Sequence, residues 1–407
     1  MPPGFRTVLV AQFLSALADN ALLFAAIALL AQQSTPDWQV PVLQQCFVLA
    51  YIVLAPFVGS LADAMPKGRV MFVSNAVKIV GCLLMLFGTH PLAAFAVVGL
   101  GAAMYSPAKY GILTELLPPS KLVEANGWME GLTVAAIVLG AIAGGALISV
   151  ALMAPWVAWL QAAGVPGIDG APRLAIAVLL LVYALASLVN LRIPVVPVRA
   201  PPRHRDPAGL VREFVQCLVL LWRDPLGQVS LAVTTLFWGA GATLRLIVLA
   251  WAGLALGLSL EQATQLTAVV ALGIAAGAAI AGRAVALEHS VRVLPVGIVM
   301  GLAVASMSLV SNLALALPLI ALIGALGGYF VVPMNALLQH RGHRLMGAGH
   351  SIAVQNFNEN LSILAMLGLY ALMLRAGLDV HAIVVIFGLG VALAMTLLWR
   401  RHRHDQD

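Results

Sequence analysis

An apolar run of about 20 residues returns a dozen times along this chain, with mostly short polar segments between. A helix of that length crosses the roughly 30 Å hydrocarbon core of a bilayer. In lipid each backbone N–H and C=O has to be satisfied within its own segment, so such runs fold as helices. The runs lie near 8–31, 42–63, 70–88, 91–115, 123–150, 173–193, 226–257, 263–286, 292–312, 315–338, 348–374 and 379–399. Of the 407 residues, 62% are hydrophobic and only 9% charged, which excludes a soluble enzyme. The first run has no small-residue cleavage site behind it and reads as a span rather than a signal peptide. The expected fold class is an all-α membrane protein of twelve transmembrane helices.

The formal net charge of +6 resembles that of a nucleic-acid binder, but its placement argues otherwise. Basic residues crowd the loops on one side of the spans, and only Arg173 and Arg375 fall on the other. By the positive-inside rule both termini are cytoplasmic, and no nucleic-acid partner is expected. The basic tail Arg400–Arg403 is placed to meet anionic headgroups. Cys46, Cys82 and Cys217 lie in or beside apolar runs, with spacing that suits neither zinc nor a disulfide framework. No metal site is expected.

The longest polar stretch, Pro194–Arg223, is rich in proline and arginine and falls at mid-chain. It reads as a linker. The predicted organisation is a six-helix bundle over 1–193, a cytoplasmic linker over 194–225, a second bundle over 226–400 and a tail over 401–407. The halves carry weak internal repeats. Tyr105-Ser-Pro107-Ala-Lys109 matches Phe330-Val-Val-Pro333-Met-Asn335, proline on proline. Asn126-Gly-Trp128-Met-Glu130 matches Gln355-Asn-Phe357-Asn-Glu359 at nearly the same offset. Parallel six-helix repeats joined by a linker resemble the major facilitator superfamily fold, which alternates access around a central site.

Few polar groups interrupt the apolar runs. Asp19 sits about eleven residues into the first, near the bilayer midplane. A charge there costs at least about 2.5–3.5 kcal/mol, so such residues usually face a cavity or a partner. Asp19, Lys109, Arg245 and Asn335 fall one each on spans 1, 4, 7 and 10, the cavity-lining spans of the fold it resembles. Asn20, Gln355, Asn356 and Glu359 complete the candidate substrate-binding set. Lys78 in span 3 reads as a snorkelling side chain. The glycines of span 5 (Gly140, Gly144, Gly145) and span 8 (Gly273, Gly277, Gly282) read as close helix packing.

Between spans 2 and 3 lies Gly59-Ser-Leu-Ala-Asp63-Ala-Met-Pro-Lys67-Gly68-Arg69. It resembles the major facilitator loop signature G-x-x-x-D-x-x-G-R with a spacer one residue longer. Asp63, Lys67 and Arg69, with Glu115 at the end of span 4 and Glu130 in span 5, form the candidate gating set. A weaker copy is Glu288 with Arg283 and Arg292.

A cavity with both signs of charge and aliphatic walls suits a zwitterionic or anionic amphiphile. Its phosphate would meet Arg245 or Lys109, its amine Asp19. An exporter of amphiphilic drugs, coupled to protons or sodium, fits the same residues. Membrane acylation chemistry does not. The one H-x-x-x-x-D spacing is His402 to Asp407, and there is no G-x-S-x-G elbow or phosphate-binding loop.

More specific resemblances run from about residue 8 to 400. Val10–Phe24, Ala55–Gly59, Tyr105–Leu113, Leu236–Arg245, Val331–Gln339 and Ala353–Asn356 are together similar to the bacterial lysophospholipid transporter family LplT. The resemblance implies a flippase of the inner membrane. It would carry lysophosphatidylethanolamine and lysophosphatidylglycerol from the outer to the inner leaflet for re-acylation. A separate acyltransferase with acyl-carrier-protein synthetase activity is the implied functional partner. The resemblance also counts Asp19, Lys109 and Arg245 among the functional polar groups. It implies no cofactor and no nucleotide hydrolysis, and admits Na+ coupling by analogy. The long linker is where this chain departs from the family.

Overall fold

The computed structural model describes residues 3–33, 39–165, 167–196 and 206–402. Parts of the expected linker (197–205) and basic tail (403–407) lie outside the described residues, and so does the His402–Asp407 pairing. Among the described residues there are fourteen α-helices and no strand. Twelve are long and apolar enough to cross a membrane. These are α1 (Pro3–Gln32), α2 (Gln39–Ala64), α3 (Lys67–Leu86), α4 (Pro91–Leu116), α5 (Leu122–Ile148), α7 (Ala171–Asn190), α9 (Pro225–Ala255), α10 (Leu260–Ala284), α11 (Leu294–Ser306, extended by 3-10 turns at both ends), α12 (Leu313–Met346), α13 (Ala348–Arg375) and α14 (Val380–His402). Every span expected from the sequence is present. The chain is a multi-pass membrane protein, and its outward-facing apolar side chains, such as Val53, Leu181 and Leu393, suit lipid contact.

Two further helices were not expected. The first, α6 (Val150–Ala162), has 13 residues and no buried side chain, and is too short to cross a bilayer. The second, α8 (Pro207–Arg223), occupies the end of the presumed linker. Its apolar residues recur at helical spacing, and Phe214, Cys217 and Leu221 are buried while Arg212 and Arg223 stay exposed. The density of proline before Pro207 hid this periodicity. Helix α12 also runs past its predicted end at 338, through Gly342, to Met346, and stops at Gly347, whose φ is +102°.

The chain forms two compact units. One gathers Met1–Leu116, Ala135–Val215 and Gly347–Ala353; the other gathers Leu117–Val134, Gln216–Met346 and Val354–Asp407. The core of the first is built around Leu22, Leu29, Met85, Phe95 and Tyr183, with the Phe47 ring tilted against Phe95 at a centroid distance of 4.9 Å. The core of the second is built around Trp251, Leu294, Phe330 and Met334.

Small residues set the tightest helix contacts. A Cβ added at Gly277 of α10 would overlap the Ala325 carbonyl oxygen, and one at Gly328 of α12 would overlap that of Ile274. In the first unit Gly140 and Gly144 of α5 press against the backbone of α1 in the same way. Gly145 faces open space, so its expected packing role does not hold. Helix α9 starts at a built cap: the Asp224 carboxylate accepts from the Gly227 N–H at 2.8 Å, with Pro225 at the first helical position.

Candidate functional site

In the first unit, α1 carries Asp19 about midway along its length; α7 and α4 pack against α1, and α3 reaches Asp19 through Lys78. The Lys78 ammonium of α3 sits 2.7 Å from Asp19 Oδ2, and the Tyr183 hydroxyl of α7 donates to Oδ1 at 2.7 Å. Lys78 also donates to Ser15 Oγ at 3.0 Å, and Ser15 in turn donates to Asn75. The rings of Tyr105 and Tyr183 face the ammonium at 5.0 and 5.5 Å, within cation–π range. With its side chain 1% exposed, Lys78 does not snorkel. It is the twelfth residue of α3, roughly 17 Å along the helix, too deep for its stem to reach an interface. Depth along the predicted span could have revealed this partnership.

The pair forms one wall of a cavity of about 50 Å³, lined among others by Gln12, Asp19, Tyr51, Lys78, Tyr105 and Lys109. Lys109, on α4, has its ammonium 4.2 Å from the Tyr110 ring centre. Two cations and one carboxylate facing one space suit a small anionic or zwitterionic group. Asn20, next to Asp19, bonds back to the Ala16 carbonyl of its own helix at 2.8 Å and does not line this cavity.

The expected gate assembles in the same unit. Lys67 Nζ lies 2.9 Å from Asp63 and 3.1 Å from Glu115, and donates to the Ala62 carbonyl. Arg69 takes no part: two residues beyond Lys67 on α3, it points to the other side and is exposed. Asp63 instead finds a partner the sequence did not offer. The N–H groups of Gly349 and His350, at the start of α13, donate to its two oxygens at 2.7 and 3.0 Å, and His350 Nδ1 lies 2.8 Å away. A carboxylate at a helix N-terminus meets unsatisfied N–H groups and the positive end of the dipole. Gly347 makes this approach possible. Its φ of +102° suits only glycine, and a Cβ there would stand 2.8 Å from Asp63 Oδ2.

The second unit holds a different cluster. Gln355 Nε2 donates to Asn335 Oδ1 at 2.9 Å and to Glu359 Oε1 at 2.7 Å, and Asn335 Nδ2 faces Glu130 Oε1 at 3.4 Å. All four side chains are buried. Glu130 therefore belongs with these amides and not with the Asp63 gate, because the first turns of α5 pack into the second unit. One turn earlier, Asn126 and Gln339 exchange two amide bonds. Asn356 is buried, and its carbonyl accepts from Asn360. Arg245 is exposed on α9.

The weaker gate copy is not assembled. Glu288 is 79% exposed, and the His289 Nε2 lies 4.0 Å from its Oε1. The fourth helix of the second repeat uses another pair: Arg341 bonds both oxygens of Asp224. Burial opposes ionisation of Asp224, but the Arg341 guanidinium and the Gly227 N–H outweigh it and hold the carboxyl below the usual range.

Similarity to known proteins agrees with this geometry. The Major Facilitator Superfamily model matches residues 8–366. The lysophospholipid transporter LplT of Serratia proteamaculans (strain 568) is 47% identical over 97% of this chain and 95% of its own length. That of Escherichia coli O9:H4 (strain HS) is 46% identical, over 98% and 96%. Among solved structures, the human organic anion transporter MFSD10 superposes with a TM-score of 0.74 at 17% identity, covering 98% of this chain and all of the other. FucP, solved in the outward conformation, gives 0.75 at 14%, covering 99% and 98%. These two show the fold alone. Together, the twelve helices, the family match and near-full-length identity place the chain in the major facilitator superfamily and, within it, in the LplT family.

Proposed function

We propose that this chain transports lysophospholipids across a bacterial inner membrane, moving lysophosphatidylethanolamine and lysophosphatidylglycerol from the outer to the inner leaflet by alternating access. The observation that carries the reading is identity of 46–47% to transporters named for that cargo, over nearly the whole chain. The charged cavity of the first unit supports it. A glycerophosphate headgroup loses its hydration on entering the membrane, and charged side chains replace it. In this reading Lys109 meets the phosphate and Asp19, shared with Lys78, meets the ethanolamine. In the second unit Arg245, Asn335, Gln355, Asn356 and Glu359 are the residues assigned to the cargo's passage, while the acyl chain stays in apolar surroundings.

The basic loops put both termini in the cytoplasm. The Asp63–Lys67–Glu115 cluster then lies at the cytoplasmic ends of α2, α3 and α4, where it acts as a gate that opens and closes with the transport cycle. The released lysolipid becomes substrate for an acyltransferase that restores the second chain.

The test is uptake of labelled lysophosphatidylethanolamine into spheroplasts lacking their own lysolipid importer. Protein-dependent uptake, lost in Arg245→Ala at normal expression, is the expected result. No uptake by well-inserted protein, together with drug resistance on overexpression, would turn the reading to an exporter of amphiphilic drugs.

A further inference from the structure

Helix α6 of the first unit is exposed on most of its circumference, yet its side chains do not suit water. The thirteen residues Val150–Ala162 include no charged group, and the one amide, Gln161, donates to the Ile168 carbonyl at 3.1 Å. Leu152, Trp156 and Trp159 are 57%, 61% and 63% exposed. A helix apolar all round belongs inside protein or in lipid, and exposed large apolar side chains grouped together mark an interaction surface.

Helical periodicity sorts these residues by size. At about 3.6 residues per turn, Leu152, Trp156 and Trp159 share one face. Met153, Val157 and Leu160 form the adjoining half-buried stripe, and α7 packs against the helix. The remaining side is small and exposed, with Ala151, Ala154, Ala158 and Pro155. Pro155 brings no N–H to the Ala151 carbonyl. In hydrocarbon that carbonyl would be costly, so this side calls for water or headgroups. A bulky face opposite a hydrated one describes a helix lying along the membrane surface.

Its place in the chain says what covers the bulky face. Ser149 alone separates α5 from α6, so no polar segment carries the helix away from the membrane. Leu139 and Ile142 of α5, and Leu181 and Leu185 of α7, are exposed toward lipid. Helix α6 joins these two spans, and its bulky face continues their lipid-facing surface. Three crossings, α3, α4 and α5, separate it from the Asp63–Lys67 contact, so it lies at the opposite face of the membrane. Tryptophan is enriched at such boundaries, with its ring in lipid and its N–H toward water.

We propose that α6 is an interfacial helix whose Leu152–Trp156–Trp159 face is seated in the lipid of the leaflet opposite the gate. The occupant of that face is the bilayer itself. Since α6 carries no charge, apolar area holds it there, and neither lipid charge nor salt should matter. In the transport reading this is the leaflet that supplies the cargo. The seating needs no cargo, so failure of lysolipid uptake would leave it standing.

The experiment uses the full-length protein in vesicles of phosphatidylethanolamine and phosphatidylglycerol, with Cys46, Cys82 and Cys217 changed to alanine. A nitroxide is attached in turn at Leu152→Cys, Trp156→Cys, Trp159→Cys, Ala151→Cys and Ala158→Cys. Its relaxation is read with oxygen, which concentrates in lipid, and with a nickel chelate, which stays in water. The expected result is oxygen access and loss of nickel access at the first three positions, and nickel access at the two alanines. Salt, or replacement of phosphatidylglycerol by phosphatidylcholine, should not change the pattern. Nickel access at all five positions would put the helix in water, and at none would immerse it. Shielding of the bulky face from both agents would mean that a second copy or another protein covers it. Each of these, a reversed pattern, or dependence on anionic lipid would overturn the proposal. Should the cysteine-free protein fail to fold, the native chain and its Trp156→Phe, Trp159→Phe variant are compared in vesicles whose acyl chains carry bromine near the headgroup or near the tail end. Shallow bromine should quench more of the fluorescence that the double variant loses. Equal or deeper quenching of that fraction would overturn the proposal, as would no quenching.

Discussion

The two halves of this chain carry matching sequence segments, yet they solve the problem of polar groups in a membrane differently. The first repeat has Asp19 and Lys109 where the second has Arg245 and Asn335, each pair at an offset of 226 residues (245 − 19 and 335 − 109). In the first unit a buried ammonium answers Asp19 directly. The third helix of the second repeat has no charged residue beyond Arg292 to play the part of Lys78. There the polar interior is made of amides and carboxyls bonded to one another, and Arg245 is left exposed. One unit therefore offers fixed opposite charges, suited to a headgroup. The other offers amides bonded to buried carboxyls.

The strongest way to break this contrast is to remove the lysine. Lys78→Met leaves Asp19 with Tyr183 as its remaining partner in the cluster, and breaking a buried pair on one side typically costs about 3–5 kcal/mol. The expected outcome is a large fall in melting temperature of the detergent-solubilised protein and loss of lysolipid uptake. The Asp19→Asn, Lys78→Met double variant should recover most of the stability and none of the uptake. Recovery of both would make the pair structural alone.

A smaller effect tests the gate. Lys67→Met leaves Asp63 and Glu115 without their shared ammonium, though the α13 N–H groups still hold Asp63. Charged hydrogen bonds are worth about 1.5–3 kcal/mol, so we expect a moderate fall in thermal stability. Arg69→Met, exposed and outside the cluster, should change neither stability nor uptake. Equal losses in both variants would show that the basic pair acts through loop charge and not through this contact. In the second unit, Asn335→Leu removes a neutral hydrogen-bonded side chain and strands one hydrogen of Gln355, for about 1–3 kcal/mol. An effect larger than that of Lys78→Met would reverse the ranking of the two units.

The helices were legible because hydrophobic length is written locally. Twelve spans can be counted from apolar runs, and the repeats from two short matches. The residues of both clusters were also legible, since each interrupts an apolar run. Their partners were not. Nothing in sequence distinguishes a lysine that snorkels from one that turns inward except depth, and Lys78 shows that depth decides. The contact of Asp63 with Gly349 and His350 joins residues 286 and 287 positions apart, and only the packing of α13 brings them together. The sequence reading groups Glu130, in span 5, with the gate, but α5 divides between the two units, which no periodicity reveals. Helix α8 was hidden by the composition of the segment before it.

The smallest effect concerns the pair that replaces the gate in the second repeat. By the offset of 226 that aligns Pro107 with Pro333, Glu115 corresponds to Arg341, and each closes the end of the fourth helix of its repeat with an opposite charge. Asp224 also caps α9, so its ionised form is the one the fold favours. Its carboxyl is held below the ordinary value, so its contribution is complete above the unfolded-state pKa of about 3.9 and fades as pH falls through the lower folded-state value. Asp224→Asn retains the cap oxygen and removes the charge. We expect it to lower stability at neutral pH by no more than about 1 kcal/mol, as partly exposed pairs do, and to flatten the acid limb of the melting profile. The test is melting temperature against pH from neutral to acid for both proteins. Curves that converge at low pH fix the pair as the source of the difference. A constant gap across the range would assign the effect to the cap instead, leaving Lys67 the one ion-paired closure of a fourth helix that matters to stability.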